Sequence, residues 1–216
     1  MLFAAGFGTR MGALTANRPK PLIEVAGRPL IDHALDLAEG MGLTIIANAH
    51  YHADQIVAHL AGRDVTVIRE DPILETGGGL RNALPLLGEG PVFTLNTDAV
   101  WTGPNPLAAL AEAWRDGMGC LQMVLPAERA TGHSGSGDWD MDADGRLTRG
   151  LSYIYTGAQI VDLARLAEIP EKVFSFNKLW DLQIPDGQLC GLVHQGGWCD
   201  VGRPESIPLA EALLDV

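Results

Sequence analysis

A chain of 216 residues with 47% hydrophobic and 19% charged side chains can bury one sizeable core and points to a single domain over residues 1–216. Its 15 Lys and Arg stand against 27 Asp and Glu, a formal net charge of −12, which argues against nucleic acid as a partner. No apolar run approaches the ~20 residues of a bilayer span, no basic start or cleavage site marks a secretory signal, and Cys120, Cys190 and Cys199 form no C-x-x-C pair, so the expectation is a cytoplasmic protein with reduced thiols and no zinc site.

In chain order, the apolar strand Met1 to Ala5 runs into Gly6-Phe7-Gly8-Thr9-Arg10-Met11-Gly12 and then Arg18-Pro19-Lys20-Pro21-Leu22. A strand feeding a glycine loop presents backbone N–H groups that no side chain obstructs, and three cations lie in the same stretch. That combination is a polyphosphate cradle. The glycine spacing alone is weak, because G-x-G-x-x-x-G departs from the dinucleotide fingerprint and no Gly-Lys-Ser/Thr follows. An ordinary tight turn at Gly6 and Gly8 is the bland alternative; Arg10 and the Pro19-Lys20-Pro21 segment weigh against it.

Pro29 to Met41 carries Leu30, Ile31, Ala34, Leu35 and Ala38 on one helical face, and a short apolar strand follows at Leu43 to Ala47. A second round places a helix at Ala53 to Ala61, a strand at Val65 to Arg69, a helix at Gly78 to Leu87 and a buried strand at Pro91 to Leu95, ending at Asn96-Thr97-Asp98. Beyond it come a helix from Pro106 to Trp114, a strand from Cys120 to Leu125, hairpins within residues 130–150, a strand from Tyr153 to Ile160 and a helix from Asn177 to Ile184. The short apolar stretch Trp198 to Val201 and a helix from Glu205 to Leu214 close the chain. Alternation of this kind predicts an α/β, Rossmann-like, mixed and mostly parallel sheet flanked by helices, with ligands at the carboxyl ends of the strands. Residues 1–98, which carry the phosphate cradle, are expected to form the nucleotide-binding half, and by the resemblance given below 99–216 the sugar-phosphate half.

Asp98 follows an apolar strand and faces the crevice of the glycine loop, where a carboxylate can hold Mg²⁺ against a triphosphate; the alternative is a turn or cap residue. Arg10, with its planar fork, suits phosphate oxygens. Lys20 is held between two prolines that restrict its backbone. Gly77-Gly78-Gly79 allows close approach to a flat base or is simply a flexible helix entry. Glu75 caps that helix or binds ribose. Asn48, after the strand that ends at Ala47, is a polar contact on the nucleotide side.

Leu2 to Met11, Leu14-Thr15, Pro19-Lys20-Pro21-Leu22, Val25 to Ile31, Glu75-Thr76-Gly77-Gly78-Gly79, Asn96-Thr97-Asp98 and Trp198-Cys199-Asp200-Val201-Gly202 together resemble the sugar-1-phosphate nucleotidylyltransferases, also called nucleoside-diphosphate-sugar pyrophosphorylases. Within that family, the short length and the triple glycine are most similar to the N-acetylmuramate alpha-1-phosphate uridylyltransferases of cell-wall peptidoglycan recycling. The stop soon after Asp200 leaves no room for the β-helical acyltransferase unit of some longer relatives.

The resemblance implies an Mg²⁺-dependent enzyme, monomeric or dimeric, joining UTP and a sugar 1-phosphate such as N-acetylmuramate 1-phosphate, with release of pyrophosphate. It places Ala5, Gly6, Gly8, Thr9, Arg10, Lys20, Asn48, Glu75, Gly77, Gly78 and Asn96 at the nucleotide, Lys20 on the phosphates being transferred, and Asp98 with Asp200 on the metal. Gly137, Asp138, Gly157, Asn177 and Lys178 fall on the sugar-phosphate side. There, Gly135-Ser136-Gly137-Asp138 resembles a Gly-Arg-Gly-Asp segment with Ser136 in place of the basic residue, and the Glu-Lys-Pro motif of longer members is missing. Lys178 is an acceptor-phosphate contact or a solvated charge. The runner-up reading is a guanylyl- or cytidylyltransferase on another acceptor. A non-catalytic nucleotide-sugar binder could dispense with Lys20, Asp98 or Asp200, and all three are present.

Overall fold

The computed structural model of the protein describes residues 1–215. Strand β1 (Leu2–Phe3) leads into the glycine loop, which closes through short 3-10 turns at Thr9–Thr15 and Lys20–Leu22. A small hairpin, β2 (Glu24–Val25) and β3 (Arg28–Pro29), delivers the chain to α1 (Leu30–Ala38). Then follow β4 (Ile45–Ala49), α2 (Ala53–Leu60), β5 (Val65–Arg69), α3 (Glu75–Ala83), β6 (Val92–Asn96) and β7 (Ala99–Trp101). The second half runs through α4 (Pro106–Ala113), β8 (Cys120–Pro126), the hairpin β9 (Trp139–Met141) and β10 (Leu147–Arg149), β11 (Tyr153–Val161), α5 (Phe176–Gln183), β12 (Leu189–Val193), β13 (Trp198–Asp200) and α6 (Ser206–Leu213).

The described residues build a nine-stranded mixed sheet flanked by helices. One part of it is parallel, in the order β6-β1-β4-β5, and β11 joins antiparallel to β6 and β8. Side-chain alternation divides the apolar residues between two faces. Leu2, Ala47, Leu95, Leu121 and Ile160 pack under α1, α2 and α4, while Ile46, Val124 and Val161 pack under α3 and α5. Each fully buried Leu or Ile in these layers contributes about 1.5–3 kcal/mol by leaving water.

Several boundaries differ from those expected of the sequence. The strand predicted at Leu43 to Ala47 is Ile45–Ala49, because parallel pairing carries Phe3 opposite Asn48 and the turn before it is set by Gly40 and Gly42 at positive φ. Asn48 therefore sits within the strand, not after it. Helix α3 begins at Glu75, three residues earlier than expected, and Pro85 converts the segment after Ala83 into a 3-10 turn. Strand β12 and the short β2, β3 and β7 are additions. The three cysteines are free and buried, and among the described residues no helix is long and apolar enough to cross a membrane.

The glycines at the start of α3 serve packing. A Cβ on Gly77 would stand 2.3 Å from the Phe174 ring, and one on Gly78 would stand 2.6 Å from the Lys172 carbonyl oxygen. Bare backbone on this side lets the 172–176 segment lie directly on the helix. The Gly78 N–H donates to the Phe174 carbonyl at 2.9 Å, and the Phe174 N–H donates to the Leu74 carbonyl at 3.2 Å. Gly77→Ala is therefore expected to destabilise the fold by about 1–3 kcal/mol, the usual cost of forcing extra volume into a packed site. Urea unfolding checks it; an unchanged midpoint would show that the segment gives way freely.

Candidate active site

Parallel strands bring their carboxyl ends together, and here the ends of β1, β4, β5 and β6 surround a cavity of about 210 Å³. It is lined by Ala5 and Gly6 of the glycine loop, by Asn48 and Glu70, by Glu75 and Thr76 of α3, and by Asn96 and Asp98. The glycine loop stands over Lys20: a Cβ on Gly8 would lie 2.8 Å from Lys20 Cβ, and Gly8 itself takes φ +63. Thr15 pins that loop, its hydroxyl donating to the carbonyls of Gly8 at 3.1 Å and Gly12 at 3.2 Å. Thr9 and Arg10 sit on its exposed outer turn.

Lys20 is 8% exposed, and its Nζ donates to Asp98 Oδ2 at 2.7 Å. Asp98 owes its place to the strand end: the Thr97 hydroxyl donates to the Phe3 carbonyl at 2.8 Å, and the Asp98 carbonyl accepts the Val201 N–H at 2.9 Å. Antiparallel pairing of β7 with β13 sets Asp200 opposite Ala99, one residue from Asp98. A Cβ on Gly202 would stand 2.9 Å from Asp200 Oδ2 and 3.2 Å from both terminal nitrogens of Arg10. The bare backbone of Gly202 thus leaves room for both Arg10 and Asp200 beside it. The predicted quartet of Arg10, Lys20, Asp98 and Asp200 converges, although the four come from widely separated parts of the chain.

The Asp200 carboxyl is held above the usual carboxylate range, first by burial and second by the facing Asp98; Lys20, Arg10 and His133 pull it partly back. Two carboxylates that repel across a partly buried gap form a donor set suited to a hard cation. Among the described residues no three His, Cys, Asp or Glu side chains cluster. Mg²⁺ commonly takes one or two carboxylates and completes its shell with phosphate oxygens and water.

Asn96 lies against Gly157, where a Cβ would stand 2.9 Å from the Asn96 side chain and φ is +90. Gly157 falls at an irregularity in β11 between Tyr155 and Gln159, so it shapes the cavity edge through Asn96. Asn48 is committed on both sides: Oδ1 accepts the Ala4 N–H at 2.8 Å, and Nδ2 donates to Glu70 Oε1 at 2.7 Å. Glu70, which the sequence reading did not single out, is 4% exposed, and its Oε2 accepts the Leu74 N–H at 2.9 Å. Asn48 and Glu70 therefore brace the strand end that starts the glycine loop while facing the cavity.

Other predicted residues lie elsewhere. Gly77 and Gly78 do not line the cavity; the N–H expected to meet a base is spent on Phe174 in the case of Gly78. Thr76 does line it, and its Oγ1 accepts the Phe176 N–H at 3.0 Å. Asp138 braces β11, its Oδ2 accepting the Tyr155 N–H at 2.8 Å. Gly137 passes against the Leu151 backbone. On α5, exposed Asn177 donates weakly to the Ser175 hydroxyl at 3.4 Å, and Lys178 is ion-paired with Glu171. Neither lines the cavity.

Comparisons with known proteins agree with this geometry. The model of the MobA-like NTP transferase domain matches residues 1–134. An N-acetylmuramate alpha-1-phosphate uridylyltransferase of Caulobacter vibrioides is 39% identical over 99% of this chain and 96% of that protein. Among solved structures, a putative glucose-1-phosphate thymidylyltransferase from Bacillus anthracis superposes with a TM-score of 0.83 at 19% identity, covering 98% of this chain and 93% of that one. HddC from Yersinia pseudotuberculosis, solved with GMP-PN, gives 0.80 at 22% identity, covering 99% and 97%. The fold is shared at both levels of identity, and with a family model covering residues 1–134 and a full-length relative at 39% identity, the chain belongs to the MobA-like NTP transferase family.

Proposed function

We propose that the protein is a sugar-1-phosphate nucleotidylyltransferase that joins UTP and N-acetylmuramate 1-phosphate, forming a uridine diphosphate sugar and pyrophosphate. The observation that carries this reading is the convergence of Lys20, Asp98, Asp200 and Arg10 beside a glycine loop at the strand ends. The full-length likeness to a muramate uridylyltransferase supports the choice of substrates. An oxygen of the sugar phosphate attacks the α-phosphorus of the triphosphate in line, one P–O bond forms, and the bond to the β-phosphate oxygen breaks. No covalent enzyme intermediate is needed, so positioning and charge neutralisation are the protein's task.

The loop amides and Arg10 hold the departing phosphates, and Lys20 stabilises charge on the oxygens around the α-phosphorus. Asp98 orients the Lys20 ammonium. Asp98 and Asp200 are also the residues that would hold Mg²⁺, which supplies further neutralisation of phosphate charge when bound. The nucleotide lies on the residue 1–98 side, with the sugar phosphate approaching from the second half.

Pyrophosphate release from four triphosphates against a panel of sugar 1-phosphates tests the reading; no release with any pair would overturn it. The metal assignment has its own test. Asn in place of either Asp keeps the shape and removes the charge, so Asp98→Asn and Asp200→Asn are each expected to raise the Mg²⁺ concentration for half-maximal activity by about tenfold or more. Because Asp200 is held above the ordinary carboxylate range, protons also compete with the cation at a higher pH than at an exposed Asp. Unchanged Mg²⁺ titrations in both variants would remove these residues from the metal.

A further inference from the structure

His133 stands beside the carboxylate pair with no part in the roles above. Thr131 bridges to Cys199, and its carbonyl accepts the Asp200 N–H at 3.0 Å. Gly132 then turns at φ +71, and a Cβ there would lie 2.3 Å from the Asp200 carbonyl oxygen. Only a glycine allows this contact, so the turn is clamped to β13 and His133 must follow beside it. The imidazole is confined from two sides. Its centroid lies 6.4 Å from that of Trp198, and a Cβ on Gly135 would stand 2.8 Å from Nε2. Its hydrogen bond among the described residues is a long one, from Nε2 to the Ser136 carbonyl at 3.4 Å.

The ionisable groups whose fields reach Asp200 are Asp98, Lys20, Arg10 and His133. The first three belong to the nucleotide half, and Lys20 is already paired with Asp98. In the second half, Lys178 is paired with Glu171, and Arg129 donates to the carbonyls of His194 at 3.2 Å and Gly196 at 2.8 Å. His133 is the one donor of that set carried by the second half, the side on which the functional reading above places the sugar phosphate. Two anionic reactants need donors on both sides of the reacting phosphorus.

We propose that His133 binds the phosphate of the incoming sugar 1-phosphate, donating a ring N–H to one of its oxygens beside Asp200. The inference rests on the nucleotidylyltransferase reading and extends it by naming an acceptor subsite. A phosphate suits this nitrogen better than the metal does, since Mg²⁺ prefers oxygen ligands.

Three variants test it. His133→Phe keeps a ring beside Trp198 without a donor, His133→Ala removes both, and His133→Gln restores a donor. With the sugar 1-phosphate that the wild type uses best, the Phe and Ala variants are expected to raise the acceptor KM about tenfold or more, as for loss of a hydrogen bond to a charged group. The UTP KM and the Mg²⁺ titration stay within about twofold, and Gln recovers part of the loss. A wild-type acceptor KM in His133→Phe overturns the proposal, as does a rise shared equally with UTP or a shifted Mg²⁺ titration in its place. A wild type that turns over no sugar 1-phosphate defeats the functional reading instead. The subsite is then scored by calorimetric titration of inorganic phosphate into protein saturated with Mg²⁺ and a non-hydrolysable UTP analogue: weaker binding in His133→Phe supports it and equal binding overturns it.

Discussion

Lys20→Met is expected to lower turnover by about a hundredfold or more while leaving the protein folded. The ammonium is 2.7 Å from Asp98 and its side chain is only 10% exposed, so its direction is fixed before substrate arrives. Pre-fixed charge is what makes a donor effective as negative charge builds on the transferring phosphoryl group, and losing one such group costs on the order of 3 kcal/mol. Met matches the apolar stem and removes only the charge. The Asp98 side chain left behind is 33% exposed, so water takes over much of its solvation and the cost to stability stays small. Pyrophosphate release measured beside circular dichroism and urea unfolding separates the two effects. Near-normal turnover in a folded Lys20→Met protein would exclude Lys20 from the reaction, and an unfolded one would make its pairing with Asp98 structural.

The parts of this arrangement that were legible in the sequence share one property: each announces itself within a few residues. A glycine loop after an apolar strand, a lysine between prolines and an aspartate at the end of an apolar run each carry a local physical constraint, and the strand ends bring them together as an α/β sheet requires. Residues set by long-range contacts were hidden. Glu70 looks like an ordinary solvated acid after a strand; its burial depends on Asn48, 22 positions earlier, and on the Leu74 N–H. The triple glycine was legible as a place of close approach, but its neighbour is Phe174, about a hundred residues away, and no local rule distinguishes an aromatic side chain of the same protein from the flat base of a ligand. Lys178 was readable as a cation near the sugar side; Glu171, which holds it, lies before its helix. Strand β12 was missed because its apolar run, Leu189–Val193, is broken at Gly191, where a Cβ would stand 2.8 Å from Leu147.

UTP is expected to bind more tightly than either purine triphosphate, by about a hundredfold. Asn48, Glu70 and Ile73 line the cavity, and the polar groups among them are nearly committed: Asn48 to Ala4 and Glu70, Glu70 to Asn48 and Leu74. What remains for a base is the spare acceptor capacity of a buried carboxylate. Uracil presents an N3–H there, whereas the ring nitrogens on the pairing edges of adenine and cytosine are acceptors and would set lone pair against lone pair. A mismatch of that kind in a buried site costs a few kcal/mol, which sets the scale of the preference. Guanine, with its own ring N–H, is the demanding competitor. Against it the expectation rests on the uridylyl reading proposed above. Isothermal titration with UTP, dTTP, CTP, GTP and ATP at one Mg²⁺ concentration measures the order directly. Tighter binding of GTP or ATP than of UTP would overturn the uridylyl assignment while leaving nucleotidyl transfer itself in place, and a loss of the UTP preference in Glu70→Gln would locate the discrimination at that carboxylate.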